Sequence, residues 1–379
     1  RAGEAHQILH LTGCAEEPGS DAVEFTRPGP RGVALQNLLT LTPWADSRAW
    51  KNRRAARNRA NLLRLGAAFR PDVVHLHNIN PFYGTGLTRM IAADLAQLAP
   101  VVWTLHDEWT LGGCCCYRGE CERPAGACGR DVQKRPEGGA AHDEWRALSA
   151  LGERLVFAGP SRWITDEARA AFPSNPARHV AYGLPEDWIG SADKHACREA
   201  LGLDPSARYV LVLADRLSVR RKGLHLLPEI MSAAPAGFRL LVAGGHDRGI
   251  TWPRDAVVMG PVRDERLLRI VCSAADVLLL PSLEDNLPLV MLEAMARGTA
   301  VAGFRIGGVP DAVVPGVTGW LAEPGDTAAL GAALRDALAL DDTARAAMSR
   351  RCIEKMRDEF PAARERTGYE TLYAGLPRS

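Results

Sequence analysis

Along the chain, short and nearly unbroken apolar runs alternate with longer segments in which apolar residues recur every three or four positions. In the first half the runs are "DVVHLH" (Asp72–His77), "VVWTLH" (Val101–His106) and "RLVFAGPS" (Arg154–Ser161). In the second half they are "YVLVLAD" (Tyr209–Asp215), "FRLLVAGG" (Phe238–Gly245), "AVVMG" (Ala256–Gly260), "DVLLLPS" (Asp276–Ser282) and "AVAGF" (Ala300–Phe304). A run that is apolar at every position suits a strand covered on both faces, as parallel strands are. "LTRMIAADLAQLA" (Leu87–Ala99) and "DERLLRIVCSAA" (Asp264–Ala275) have helical periodicity and lie between such runs. The alternation predicts an α/β protein with two doubly wound parallel sheets, that is, two Rossmann-like domains facing each other across a cleft.

The periodicity breaks at "AYGLPEDWIGSADK" (Ala181–Lys194), where Gly, Pro and Ser surround one Trp. Domains are therefore expected over 1–183 and 184–350, followed by helices over 351–379, with a crossing back to the first domain as one placement for them. Near the start, "HQILHLTG" (His6–Gly13) reads as a strand, but no convincing Gly-rich loop and helix follow it. The first domain is accordingly expected to be truncated at its beginning.

Ligands of open α/β sheets bind beyond the carboxyl ends of the strands. After "DVLLLPS" comes "SLEDNLPLVMLEAM" (Ser282–Met295). Asp285 falls in the loop, Pro288 suits the first turn of a helix, Glu293 lies about two turns in, and Gly298 is placed to stop the helix. A helix start favours an anion, and carboxylates accept hydrogen bonds from vicinal diols. Two acids around a phosphate site match a nucleotide sugar. The alternative is a buried helix whose Glu293 is satisfied by backbone donors. After "YVLVLAD" come Arg216, Arg220, Arg221, Lys222 and Gly223, cations suited to a diphosphate or, alternatively, to a solvated loop. In "FRIGGVPD", Gly307 and Gly308 permit close approach of the backbone to a ligand or simply form a turn. His106 closes a first-half strand and is a candidate to face the cleft, against the alternative of a core histidine. His75 and His77 read as structural, with His77 also near the expected cleft.

Composition narrows the classes. Apolar residues make up 46%, charged residues 24%, and the formal net charge is +1, so no global field attracts nucleic acid. No apolar run approaches the ~20 residues a membrane span requires. A cytoplasmic protein is expected, with peripheral contact at the inner membrane face as a further reading. That reading comes from "RAWKNRRAARNRANLLRLGAAFR" (Arg48–Arg70), which has eight basic residues and no acid. It is either a solvated helix or a cationic face for anionic lipid headgroups or a lipid-diphosphate acceptor. Cys114, Cys115, Cys116, Cys121 and Cys128 crowd together. Cys115, Cys116, Cys121 and Cys128 are candidate ligands of a structural zinc, although paired C-x2-C knuckles are absent; a disulfide or free thiols are the alternatives.

Taken together, "PDVVHLHN", "TLHDEW", "PSRWI", "RRKGL", "AADVLLLPSLEDNLPLVMLEAMARGTAVAGFRIGGVPDAV" and "GVTGWLAEPGD" resemble, in the same order, a family 4 retaining glycosyltransferase of the GT-B fold. "TLHDEWTLGGCCCYRGEC" is similar to its colanic-acid-type exopolysaccharide glycosyltransferases. The resemblance implies a metal-independent hexosyltransferase that takes a UDP- or GDP-sugar as donor and a saccharide or lipid-linked saccharide as acceptor. It places Asp285 on the donor sugar and Glu293 on the nucleotide ribose. It gives the backbone of Asn286, Leu287 and Val290 to sugar and phosphate, and Lys222 with Arg216 or Arg221 to the diphosphate. His106 would contact the donor sugar or support transfer. Required cofactors are not implied. The chain departs from the family in three ways: Asp285 stands for the usual Glu, Tyr182-Gly183 for Asn-Gly, and the opening Gly-rich loop is not seen. Alternatives are a catalytically silent nucleotide-sugar-binding partner of another transferase and a GT-B nucleotide-sugar epimerase.

Overall fold

The computed structural model describes residues 11–12, 23–24, 48–79, 87–112, 115–117, 119, 140–245 and 252–377. The chain divides into two compact units. One comprises Arg1–Ala158, Glu167–Arg178 and Gly375–Ser379, and the other Gly159–Asp166 and His179–Ala374.

In the first unit, β1 (Leu11–Thr12) and β2 (Val23–Glu24) form a short parallel pair. A four-stranded sheet has the order β3 (Val74–Leu76), β4 (Val101–Thr104), β5 (Leu155–Gly159), β6 (Ala177–His179). β3–β4 and β4–β5 are parallel, as the apolar runs predict. Val101, Val102, Leu155 and Phe157 are wholly buried, which only a strand covered on both faces allows. The basic segment is a helix over Arg48–Phe69; it buries Leu62 and leaves Arg57, Arg59 and Arg64 exposed. Arg59 spends its charge locally, on Asp94 at 2.5 Å.

The second unit is built on a six-stranded sheet of order β12-β11-β10-β7-β8-β9. Its strands are β7 (Arg208–Arg216), β8 (Phe238–Gly245), β9 (Val257–Gly260), β10 (Val277–Leu280), β11 (Ala300–Phe304) and β12 (Gly319–Ala322). All pairs are parallel. In chain order within the unit this is 6-5-4-1-2-3, the doubly wound arrangement. Strand direction of travel reverses between β7 and β10, so these two carboxyl ends flank the topological switch point. β2, β6 and β12 carry no signal that the sequence patterning detects: all three are short, and Gly319–Ala322 is only partly apolar.

The helix Leu289–Ala296 begins right after Pro288 and packs Met291, Leu292, Ala294, Met295 and Ala296 into the core. Burying each large side chain contributes roughly 1.5–3 kcal/mol. Helices Asp342–Glu359 and Ala362–Ala374 follow, so the second unit runs on past residue 350. The Tyr182-Gly183 segment is stitched to the turn between them. Gly183 N–H donates to Glu365 Oε2 at 3.0 Å, Leu184 N–H to the Phe360 carbonyl at 2.8 Å, and Ala362 N–H to the Leu184 carbonyl at 2.8 Å.

Candidate functional site

The loops leaving β7 and β10 meet at the switch point. The first turns through a short 3-10 helix, Arg220–Lys222, and is closed by Gly223. The second runs from Pro281 to Asp285. They are joined by backbone: Leu283 N–H donates to the Arg221 carbonyl at 2.8 Å, and Arg221 Nη1 donates to the Glu284 carbonyl at 3.2 Å. This pins Lys222 Nζ at 2.5 Å and Arg221 Nη1 at 3.5 Å from Asp285 Oδ2. Asp285 is 8% exposed, so its carboxylate is held largely out of water by two cations. Arg216, at the end of β7, is exposed, and the short acid Asp285 reaches Lys222.

The loop after β11 closes on the same spot. Gly308 N–H donates to the Asn286 carbonyl at 2.5 Å. Gly307 has φ 44°, and a Cβ there would lie 1.9 Å from the Asp285 carbonyl oxygen. The close approach that Gly307 and Gly308 allow is therefore to the protein's own Asp285–Asn286 backbone. Asn286 N–H donates to Asp285 Oδ1 at 3.2 Å, and Asn286 Oδ1 accepts from Ser161 Oγ at 2.6 Å. Ser161 is absent from the sequence-derived candidates. Its motif "PSRWI" was visible, but its distance of 125 positions from Asn286 hides the contact.

Leu287 is buried and Val290 half-buried, on the first turn of Leu289–Ala296, which no side chain caps. Glu293 is the one acid of that helix. Its carboxyl has no hydrogen-bond partner among the described residues, and burial, reinforced by the charge of Glu265, pushes its pKa up to about 7. The sequence alternative of a Glu293 satisfied by backbone donors is thus not what the structure contains. Its backbone carbonyl accepts from Trp188 Nε1 at 3.3 Å, which fixes the helix against the Glu186–Trp188 turn.

In the first unit, His106 follows β4 and forms a cluster with the two β3-side histidines. His77 Nδ1 lies 3.0 Å from His106 Nε2, the His75 and His77 ring centroids are 4.2 Å apart, and His75 Nε2 lies 2.8 Å from Thr104 Oγ1. Burial, then the neighbouring imidazoles, lowers the pKa of His75 to about 3; burial, then His77, lowers that of His106 to about 4. His106 is therefore neutral at pH 7, able to share a hydrogen bond but not to carry charge.

Cys115 and Cys116 are half-buried, and the Cys116 carbonyl accepts from Glu108 N–H at 2.8 Å. Cys114, Cys121 and Cys128 lie outside the described residues, and with them the zinc expectation. Among the described residues, no three His, Cys, Asp or Glu side chains gather as metal ligands.

Residues 208–339 match the family model described as "Glycosyl transferases group 1". The matched stretch lies within the second unit. Curated relatives of the chain include the D-inositol 3-phosphate glycosyltransferases of Mycobacterium avium (strain 104), 29% identical over 318 residues that cover 77% of this chain and 67% of the relative. That of Mycolicibacterium paratuberculosis is 30% identical over 77% of this chain and 65% of the relative. The chain thus spans about two thirds of these glycosyltransferases or less. Among solved structures, the sucrose-phosphate synthase of Thermosynechococcus elongatus superposes with TM-score 0.66 at 20% identity, covering 86% of this chain and 80% of that one. Anabaena Alr3699/HepE, solved in complex with UDP, gives TM-score 0.62 at 16% identity, covering 83% of this chain and 82% of that one. At such identities the likeness is one of fold, and that fold is the two-sheet GT-B architecture of glycosyltransferases.

Proposed function

We propose that the protein is a retaining hexosyltransferase of polysaccharide or glycoconjugate biosynthesis. Its donor is a UDP- or GDP-sugar and its acceptor a saccharide or lipid-linked saccharide. The observation that carries this reading is the switch-point cluster: Lys222 and Arg221 on Asp285, beside a helix whose Glu293 carboxyl has no hydrogen-bond partner among the described residues. Asp285 takes hydroxyls of the donor sugar, and Glu293 the ribose diol. As the bond from the anomeric carbon to the leaving oxygen breaks, negative charge grows on the diphosphate. Lys222, with Arg221 or Arg216, and the uncapped helix start stabilise it. The acceptor oxygen bonds the anomeric carbon on the same face, and its proton passes to the leaving diphosphate. His106, neutral at pH 7, assists as a hydrogen-bonding group towards the sugar. Support comes from the domain match and from the UDP complex of the Anabaena neighbour, which is a property of that protein.

The test is transfer with UDP- and GDP-sugars by the wild type, Asp285→Ala and Lys222→Ala. Losing one such preorganised group costs roughly 10²–10³ in kcat, and full activity in both variants overturns the assignment. A second reading, nucleotide-sugar binding without turnover, is favoured by the ion pairing that already occupies Asp285. Tight donor binding with neither transfer nor hydrolysis would select it.

A further inference from the structure

A cavity of about 470 Å³ opens on the second unit at the edge of the sheet opposite the switch point. It lies where β7, β10 and β11 begin, with Arg208, Asp276 and Ala300 among its walls. β7 runs the whole depth of the sheet, so its nine residues put roughly 26 Å between this cavity and Arg216. Four cations converge here: Lys194, Arg198, Arg208 and Arg345. Against them stand one buried carboxylate, Asp276, and Asp342, whose side chain is 93% exposed.

The pairing inside this cluster is incomplete. Asp276 Oδ2 accepts from Arg198 Nη2 and from Tyr209 N–H, each at 2.8 Å. Arg198 is also spent on the Ala274 and Pro205 carbonyls, each at 2.9 Å. Asp276 Oδ1 and Arg345 Nε, by contrast, are both buried without a hydrogen bond among the described residues, and stand 3.7 Å apart. Arg208 Nη1 stands off the same oxygen at 3.6 Å. Burial, opposed by Asp276 and reinforced by Arg198 and Arg345, lowers the pKa of Lys194 to about 8. Lys194 Nζ donates to the Ala275 carbonyl, and Arg345 Nη1 to Asp342 Oδ1 at 2.9 Å, yet four cations against two carboxylates leave net positive charge in a partly buried space, and an anion relieves it. Apolar side chains line the cavity as well: Trp320, half-buried, with Met348 and Leu340. A space of this volume exceeds what a bare inorganic anion fills and matches a small organic ligand.

We infer that this cavity binds a small phosphorylated molecule, with the phosphate between Arg208, Arg345 and Lys194 and the organic part against Trp320. The forked N–H donors of arginine match the oxygens of a phosphate, and its dianion, more than the single charge of a carboxylate, matches the excess of two positive charges. Asp276 is the repulsive element nearby, and it selects for a ligand that spans Arg208 and Arg345 rather than one pressed onto the carboxylate. The site is separate from the proposed donor site.

The experiment is calorimetric titration of the whole chain with inorganic phosphate, glucose 1-phosphate and AMP. The two organic probes separate a sugar phosphate from a nucleoside phosphate. At least one of them is expected to bind at one site, more tightly than inorganic phosphate. Its affinity should fall at least about tenfold in Arg208→Gln and in Arg345→Gln, and should not change in Lys222→Ala. Trp320→Ala should weaken the organic phosphate but not inorganic phosphate. Arg208 is 36% exposed at its side chain, so its variant keeps the fold even where loss of Arg345 does not. No binding up to about 10 mM ligand, or binding lost in Lys222→Ala and retained in Arg208→Gln, overturns the inference; the latter result places the phosphate at the donor loop.

Discussion

At the scale of single residues, Glu293 is the most informative side chain. An acid within an otherwise apolar buried helix was legible in "LVMLEAMA", but whether the fold would satisfy it was not. Among the described residues its carboxyl has no hydrogen-bond partner, and burial raises its pKa from 4.5 to about 7. Below pH 4.5 both folded and unfolded chains hold the proton. Between 4.5 and 7 only the unfolded chain releases it, so stability falls as pH rises through that window. Glu293→Gln should therefore raise Tm at pH 8, by a gain of the order of 1 kcal/mol, and leave Tm at pH 4 unchanged. The same variant should weaken UDP binding. Thermal melts at the two pH values, with UDP titration, check both; a lower Tm at pH 8 would mean the carboxylate is stabilising instead. Asp285 shows the opposite case. The missing methylene relative to Glu is absorbed by Lys222, which comes to 2.5 Å, a fit that residue identity alone does not reveal.

At the scale of elements, the strands of both sheets were largely written into the apolar runs. "YVLVLAD" became Arg208–Arg216 and "AVAGF" became Ala300–Phe304. The short strands Ala177–His179 and Gly319–Ala322 escaped, because three or four mixed residues carry no period and form only by pairing with a neighbour. Loops decide the site. Gly223 adopts φ 72°, and a Cβ there would lie 1.7 Å from the Pro281 carbonyl oxygen. Gly223→Ala must push the loop after β7 away from the loop after β10, and so separate Lys222 from Asp285. A stability loss of about 1–3 kcal/mol is expected, with donor binding lost in the material that remains folded. Denaturant titration and nucleotide-sugar binding would measure it. Unchanged affinity in a folded variant would show that the two loops are not coupled.

At the scale of the whole molecule, the switch-point cluster lies entirely within the second unit, so donor recognition should register as stabilisation of that unit. A ligand that binds only the native state adds RT ln(1 + [L]/Kd), about 2.7 kcal/mol at a hundredfold excess over Kd. A thermal-shift screen of nucleotide sugars should therefore raise Tm for the cognate donor in the wild type and much less in Lys222→Ala. Equal shifts in both would remove Lys222 from the donor site. Among the described residues, no helix is long and apolar enough to cross a membrane.

Local patterning was sufficient for the longer strands, the alternation with helices, the doubly wound class, and the supply of acids and cations after β7 and β10. Those features depend on short-range periodicity and on which residue types follow a buried strand. It could not say which cation meets which acid. Lys222 and Asp285 are 63 positions apart, Ser161 and Asn286 125, and both meetings depend on strand order and loop conformation rather than on neighbouring residues. The basic cavity at the other edge had no sequence signal at all. Lys194, Arg208, Asp276 and Arg345 come from four separate elements, and only packing of the helix Asp342–Glu359 beside the starts of β7 and β10 brings their charges together and leaves them unevenly paired.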